Sequence, residues 1–308
     1  MSGPVEDRDV RGHDEPARSV EVREGRSTSL GGLDIVRVLP TKGRRTVGAW
    51  CFVDLMIPPE SDEPHPMEIG PHPHMGLSTV TWLFEGEALH SDSLGTEQLI
   101  RPGQLNLMTA GHGIAHAELG LRDGLKGVQM WVALPEETRH GGSSFEHHAE
   151  LPLFDFGSGE ATVFMGRLGD VESDARADSR LVGADVTLAG GRARLPVEPD
   201  FEHAVVPLDR TLKVEDALVE PRWLALVPPG ADILEIHSEG PARAMVLGGE
   251  PFGVPIKMWW NFVARDLDEI TSAWRAWQAH DEDRFGPVPS DLDRMDAPTP
   301  PWLRSGEH

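Results

Sequence analysis

Residues 71–118 read PHPHMGLSTVTWLFEGEALHSDSLGTEQLIRPGQLNLMTAGHGIAHAE, and the two ends of this stretch govern how the rest is read. His72 and His74 stand two apart at one end; His116 and Glu118 stand two apart at the other. In extended backbone, residues i and i+2 project to the same face, so each pair sends two side chains in one direction. Two such pairs on neighbouring strands can converge on one point. Three imidazoles and a carboxylate make an N/O donor set suited to iron(II), manganese, nickel, copper or zinc rather than calcium. Such a set leaves coordination positions open, which catalysis requires. The chain has 14 His, so either pair alone also fits a polar surface loop; His147-His148 is read as a solvent-facing pair of that kind.

Working outward, short apolar runs broken by turn residues read as strands: Leu33–Leu39, Val47–Leu55, Leu77–Phe84, Leu105–Met108 and Val128–Leu134. Gly and Pro between them, as at Pro58-Pro59 and Pro102-Gly103, mark tight turns. Residues 135–155 are polar, with a Gly-Gly pair, and read as a connector near a domain boundary. A second series of strands runs from Ala161–Met165 to Arg243–Leu247. This spacing argues for sandwiches or barrels and against alternating βα units. Asp266 and Glu269 read as a capping box opening a helix whose apolar stripe is Ile270, Trp274 and Trp277. Trp259-Trp260 is expected to pack into the second barrel. Residues 1–17 read as disordered, and the Pro-rich segment 287–308 as an irregular surface tail.

Composition narrows the function. The 308 residues hold 28 Lys+Arg against 51 Asp+Glu, a net charge of −23, which disfavours direct nucleic-acid binding. No run approaches the ~18 apolar residues of a membrane span, and the charged N-terminus is no signal peptide. Cys51 is the single cysteine, so no intrachain disulfide forms and a reducing, cytoplasmic home is expected. Its apolar setting, AWCFVDLMI, reads as a buried small hydrophobe. A Gly-x-Ser-x-Gly elbow and a strand-to-helix phosphate loop are both missing from the sequence.

The opening stretch resembles the signature region of the pirins, a branch of the cupin superfamily. The segments QMWVALP (129–135), LGGEPFGVPI (247–256) and RFG (284–286) are similar to that family's later motifs. The resemblance implies an all-β fold of two tandem antiparallel cupin β-barrels, jelly-roll type, with a C-terminal helix. The expected division is an N-terminal barrel with the metal site at 18–140, and a C-terminal barrel without metal at 141–286, ending in the helix. By position, the implied ligands of one divalent transition metal, iron(II) foremost, are His72, His74, His116 and Glu118. Around Phe201-Glu202-His203 the second barrel offers one imidazole and no matching set.

The family signature usually reads H-P-H-R-G-F-E-T, and Met75 and Ser78 stand here in place of its Arg and Glu. His112 replaces the Arg of T-A-G-R-G-I. Met75, Ser78, His112 and Trp82 are therefore candidate pocket residues; the bland readings are an exposed loop for His112 and core filling for Trp82. Glu118 is either a ligand alone or also the catalytic proton acceptor. The resemblance implies a quercetin 2,3-dioxygenase-type enzyme acting on a flavonol with O2. The alternatives are a redox-sensing iron protein acting through a protein partner, and a bicupin serving an unknown small molecule.

Overall fold

The computed structural model describes residues 19–30, 33–57, 67–121 and 124–304. The segment 1–17 and the Pro58-Pro59 turn lie outside them. Two β-sandwiches of jelly-roll type stack through their large sheets. In the first, a seven-stranded sheet running from Ser144–His148 at one edge to Arg26–Leu30 at the other faces a four-stranded sheet. That small sheet has the order Glu68–His74, Ile114–Gly120, Ala88–Asp92, Glu97–Ile100. The second sandwich pairs an eight-stranded sheet with the four strands Gly191–Pro196, Ile233–Ser238, Leu212–Val214 and Ala217–Val219.

Strand alternation explains where the cores lie. Along Leu77–Glu85, Val80 and Trp82 turn outward into the core between the two sandwiches, against Phe164, Leu226 and Leu247. Thr81 turns the other way and reaches Gln129 and Glu118 inside the first sandwich. The interior of the second sandwich is filled by Ala, Val, Leu, Ile and Phe side chains. The first is apolar at one end, around Leu33, Met67, Leu83 and Ile100, and polar at the other.

Several segments sit elsewhere than the sequence suggests. Ser144–His148, within the expected connector, is a strand paired with Leu105–Thr109, because Phe145 buries against Met108 and Ile114. His147 and His148 are thus half-buried, with His147 Nδ1 bonded to Asn106 Oδ1 at 2.7 Å. Glu21–Glu24 pairs with Trp223–Val227 in the second sandwich.

The helix Leu267–Gln278 is capped by Asp266, which accepts from Glu269 N, while Glu269 reaches back to Arg265 N. Its buried stripe, Ile270, Ala273 and Trp277, packs on Met75 and Ala115, so it covers the first sandwich rather than the second. Trp259 and Trp260 join the same cluster, because the hairpin Lys257–Trp259/Phe262–Ala264 is bridged to Met75 through Phe262. The Pro-rich segment 287–300 has no regular structure, yet it is a packed strap rather than a loose tail. Trp277 Nε1 donates to Met295 O at 2.9 Å, and Met295 N to Pro71 O at 2.9 Å.

Candidate metal centre and cavity

The small sheet builds the site. His116 pairs directly with His72, and Ile114 with His74, so three imidazoles share one face of adjacent antiparallel strands. A bulge at Gly70–Pro71 shifts the register between His116 and Glu118. Gly70 has to be glycine: a Cβ there would lie 1.9 Å from Asp293 O, in the strap. Ring centroids lie 4.3 Å apart for His72–His116 and 4.9 Å for His74–His116. His74 Nε2 and His116 Nε2 are 3.0 Å apart. Donor atoms of all three imidazoles fall within 4.8 Å of one another; Glu118 makes a second such group with His116 and His90.

Burial fixes the protonation of these groups. Desolvation lowers the His72 pKa to about 4 and pushes those of His74 and His116 well below the ordinary imidazole value. The rings are therefore neutral, as ligands must be. His72 Nδ1 donates to Gly70 O at 2.9 Å, which leaves its Nε2 lone pair bare. Burial raises the pKa of Glu118, whose Oε1 accepts a long bond from Thr81 Oγ1 at 3.4 Å. Neutral imidazoles with Nε2 atoms at contact distance, beside a buried carboxylate, fit one divalent transition metal.

Above the cluster lies a cavity of about 260 Å³. The large sheet supplies one wall: Phe52 and Trp131 stack at 4.0 Å and 13°, and Trp131 meets His74 edge-on at 5.2 Å. Arg37 lies over the Phe52 ring and is clamped bidentately by Asp54, with both bonds at 2.7 Å. Trp260 and Asn261, from the hairpin loop, and Met295, from the strap, complete the lining with Gln129. Trp260 holds φ +52°, a left-handed conformation that strains a bulky residue by ~1–3 kcal/mol.

Sequence comparison matches the Pirin family model to residues 32–132 and the Pirin C-terminal cupin domain to residues 183–285. A Pseudomonas aeruginosa protein named "Putative quercetin 2,3-dioxygenase" is 42% identical over 281 residues, covering 90% of this chain and 89% of its own. The chain belongs to the pirin family. A pirin-like protein of Caulobacter vibrioides is 38% identical, over 84% of this pirin and 92% of its own length. The crystal structure of quercetin 2,3-dioxygenase from Acinetobacter baumannii superposes with a TM-score of 0.86 at 37% identity, covering 92% of this pirin and 96% of that chain.

In this pirin all four residues expected as ligands line the cavity; the four expected around the pocket do not. Met75 follows His74 and so points to the opposite face, where its sulfur accepts from Arg284 Nη2 at 2.9 Å. Ser78 pairs with Thr109 Oγ1 at 3.0 Å. Trp82 donates to Asp185 Oδ2 at 2.9 Å in the core between sandwiches. His112 is exposed on its turn, and its carbonyl accepts from Arg284 Nε at 3.3 Å. Arg37, Gln129, Trp260 and Met295 were missed because they come from distant segments. His90 has no partner at H-x-H spacing, although its two-residue offset from Asp92 is visible in the sequence. No helix of the described residues is long and apolar enough to cross a membrane.

Proposed function

We propose that this pirin is a metal-dependent dioxygenase for flavonol-type aromatic substrates, with His72, His74, His116 and Glu118 holding one metal, iron(II) foremost. The observation that carries this reading is a buried His/Glu cluster at the floor of an aromatic-walled cavity. Its volume, about 260 Å³, lies just below the ~300–1,000 Å³ usual for small-molecule sites and so favours a compact planar guest. The activity named for the Pseudomonas and Acinetobacter relatives supports the same choice. A bound metal supplies Lewis acidity and redox chemistry towards O2 at its open position. The Phe52–Trp131 stack and Trp260 sandwich the rings, and Gln129 and Asn261 meet their hydroxyl groups. Glu118, buried and with its proton affinity raised, accepts the proton of the substrate hydroxyl that docks beside it. A regulator reading expects a shallow centre beside a surface patch, whereas this cluster is buried and lines a cavity.

The test compares wild type with His74→Ala for metal content, quercetin absorbance and O2 uptake. One metal per chain, with turnover, both lost in the variant, is the expected result. Stoichiometric metal without turnover refutes the substrate; absence of metal after anaerobic iron loading refutes the centre.

A further inference from the structure

The buried hydrogen bonds behind His116 run in one direction. Asp92 Oδ1 accepts from Leu94 N at 2.8 Å and Thr96 N at 3.0 Å. Its Oδ2 lies 3.2 Å from His90 Nε2, and His90 Nδ1 lies 3.3 Å from His116 Nδ1. An ionised carboxylate only accepts, so His90 Nε2 must carry the proton. With that one proton on the ring, His90 Nδ1 is bare and only accepts. His116 Nδ1 must therefore donate, and its Nε2 is left bare, 3.0 Å from His74 Nε2. His90, Asp92 and His116 are 4%, 0% and 1% exposed, so bulk solvent does not reach these bonds. Strand register places Asp92 opposite His116 and His90 opposite Glu118. Phe145 stacks on the His90 ring at 4.5 Å and 25°, fixing its plane.

We propose that His90 and Asp92 are positioning residues, a two-member relay that locks His116 in the Nδ1–H tautomer and turns its Nε2 lone pair to the cavity. The purpose of that lone pair rests on the metal reading above; the tautomer does not. Gly70 O does the same for His72, so two of the three imidazoles are held in one sense by different acceptors. A rival assignment exists in the same atoms. His90, His116 and Glu118 lie within 4.8 Å of one another and could cage a second cation. That cation would require His116 to lose both ring protons if the first site were also filled. The relay needs only neutral rings.

The experiment uses metal-free protein labelled with 15N-histidine at about pH 8, above the ordinary imidazole range. Nitrogen shifts distinguish protonated from bare ring positions. His116 should show Nδ1–H and bare Nε2, and His90 should show Nε2–H. Asp92→Asn can donate to His90 and should scramble both tautomers. It should also weaken nickel(II) binding, read by chelator competition, by ~10–100-fold. His90→Leu should lose as much, whereas His90→Asn, which keeps an acceptor oxygen near the Nδ1 position, should recover most of it. Circular dichroism establishes that each variant is folded. Finding His116 as the Nε2–H tautomer in wild type overturns the relay. So does wild-type nickel affinity in folded Asp92→Asn and His90→Leu, or uptake of two nickel ions per wild-type chain. Wild type that shows the expected tautomers but takes up no nickel supports the relay and refutes the metal reading, so the two failures are distinguishable.

Discussion

His203 sits 2% exposed in the second sandwich, and its Nε2 has no hydrogen-bond partner among the described residues. Desolvation alone lowers its pKa from 6.5 to about 4. In the unfolded chain the ring regains its ordinary affinity for protons. Below pH 6.5 the unfolded state therefore binds a proton that the folded state refuses, and stability falls with pH. At pH 8 the two states are equally neutral and the ring contributes nothing. At pH 5 the penalty amounts to about 2 kcal/mol, rising to about 3.4 kcal/mol once pH drops below the folded value. His203→Leu removes this linkage without leaving a polar atom orphaned. Unfolding free energies of metal-free wild type and variant, from urea titrations followed by tryptophan fluorescence, should be compared at pH 8 and pH 5. The loss between the two pH values should be smaller in the variant by about 2 kcal/mol. Equal losses would mean that His203 is protonated in the fold, and the burial argument would be refuted.

Two further variants test the site. Gly70→Ala places a Cβ against Asp293 O, so the strap must move; stability should fall by ~1–3 kcal/mol in thermal melts. KM for the aromatic substrate should rise in the same variant as the Met295 wall shifts, and an unchanged KM would detach the strap from the cavity. Trp131→Phe keeps an aromatic wall but shrinks the Phe52 stack, so aromatic-ligand affinity should fall ~2–10-fold by calorimetry with metal content unchanged.

The His/Glu cluster was legible because a spacing of two is itself a structural statement in extended chain. His72 shares a strand face with His74, and His116 with Glu118; that the two pairs adjoin is set by strand pairing. The strands that carry them were not legible as strands. Glu68–His74 and Ile114–Gly120 hold the polar interior of the first sandwich, so they lack the apolar runs that mark Leu33–Leu39 or Lys126–Ala133. The same alternation keeps Met75, Ser78 and Trp82 off the cavity: Met75 sits one residue from His74, which in a strand means the opposite face. Phe52, Gln129 and Trp131 reach the cavity through the large sheet, and Trp260 and Met295 through the C-terminal segment. These contacts join residues far apart in the chain, and single-sequence periodicity carries no such information. The helix was recognised from its cap and stripe, but what the stripe packs on was set by the apolar outer face of Met75 and Ala115.

The strap has a consequence for how the protein is made. His72, His74, His116 and Glu118 all lie between residues 72 and 118, whereas part of the cavity lining comes from Trp260, Asn261 and Met295. During synthesis the donor-bearing sheet leaves the ribosome long before the segment that roofs it. Docking of that last segment, through the Met295–Pro71 and Trp277–Met295 bonds, adds the Met295 side of the cavity lining. The convergence of the four side chains can thus arise in the half-made chain, but the cavity above them belongs only to the finished one.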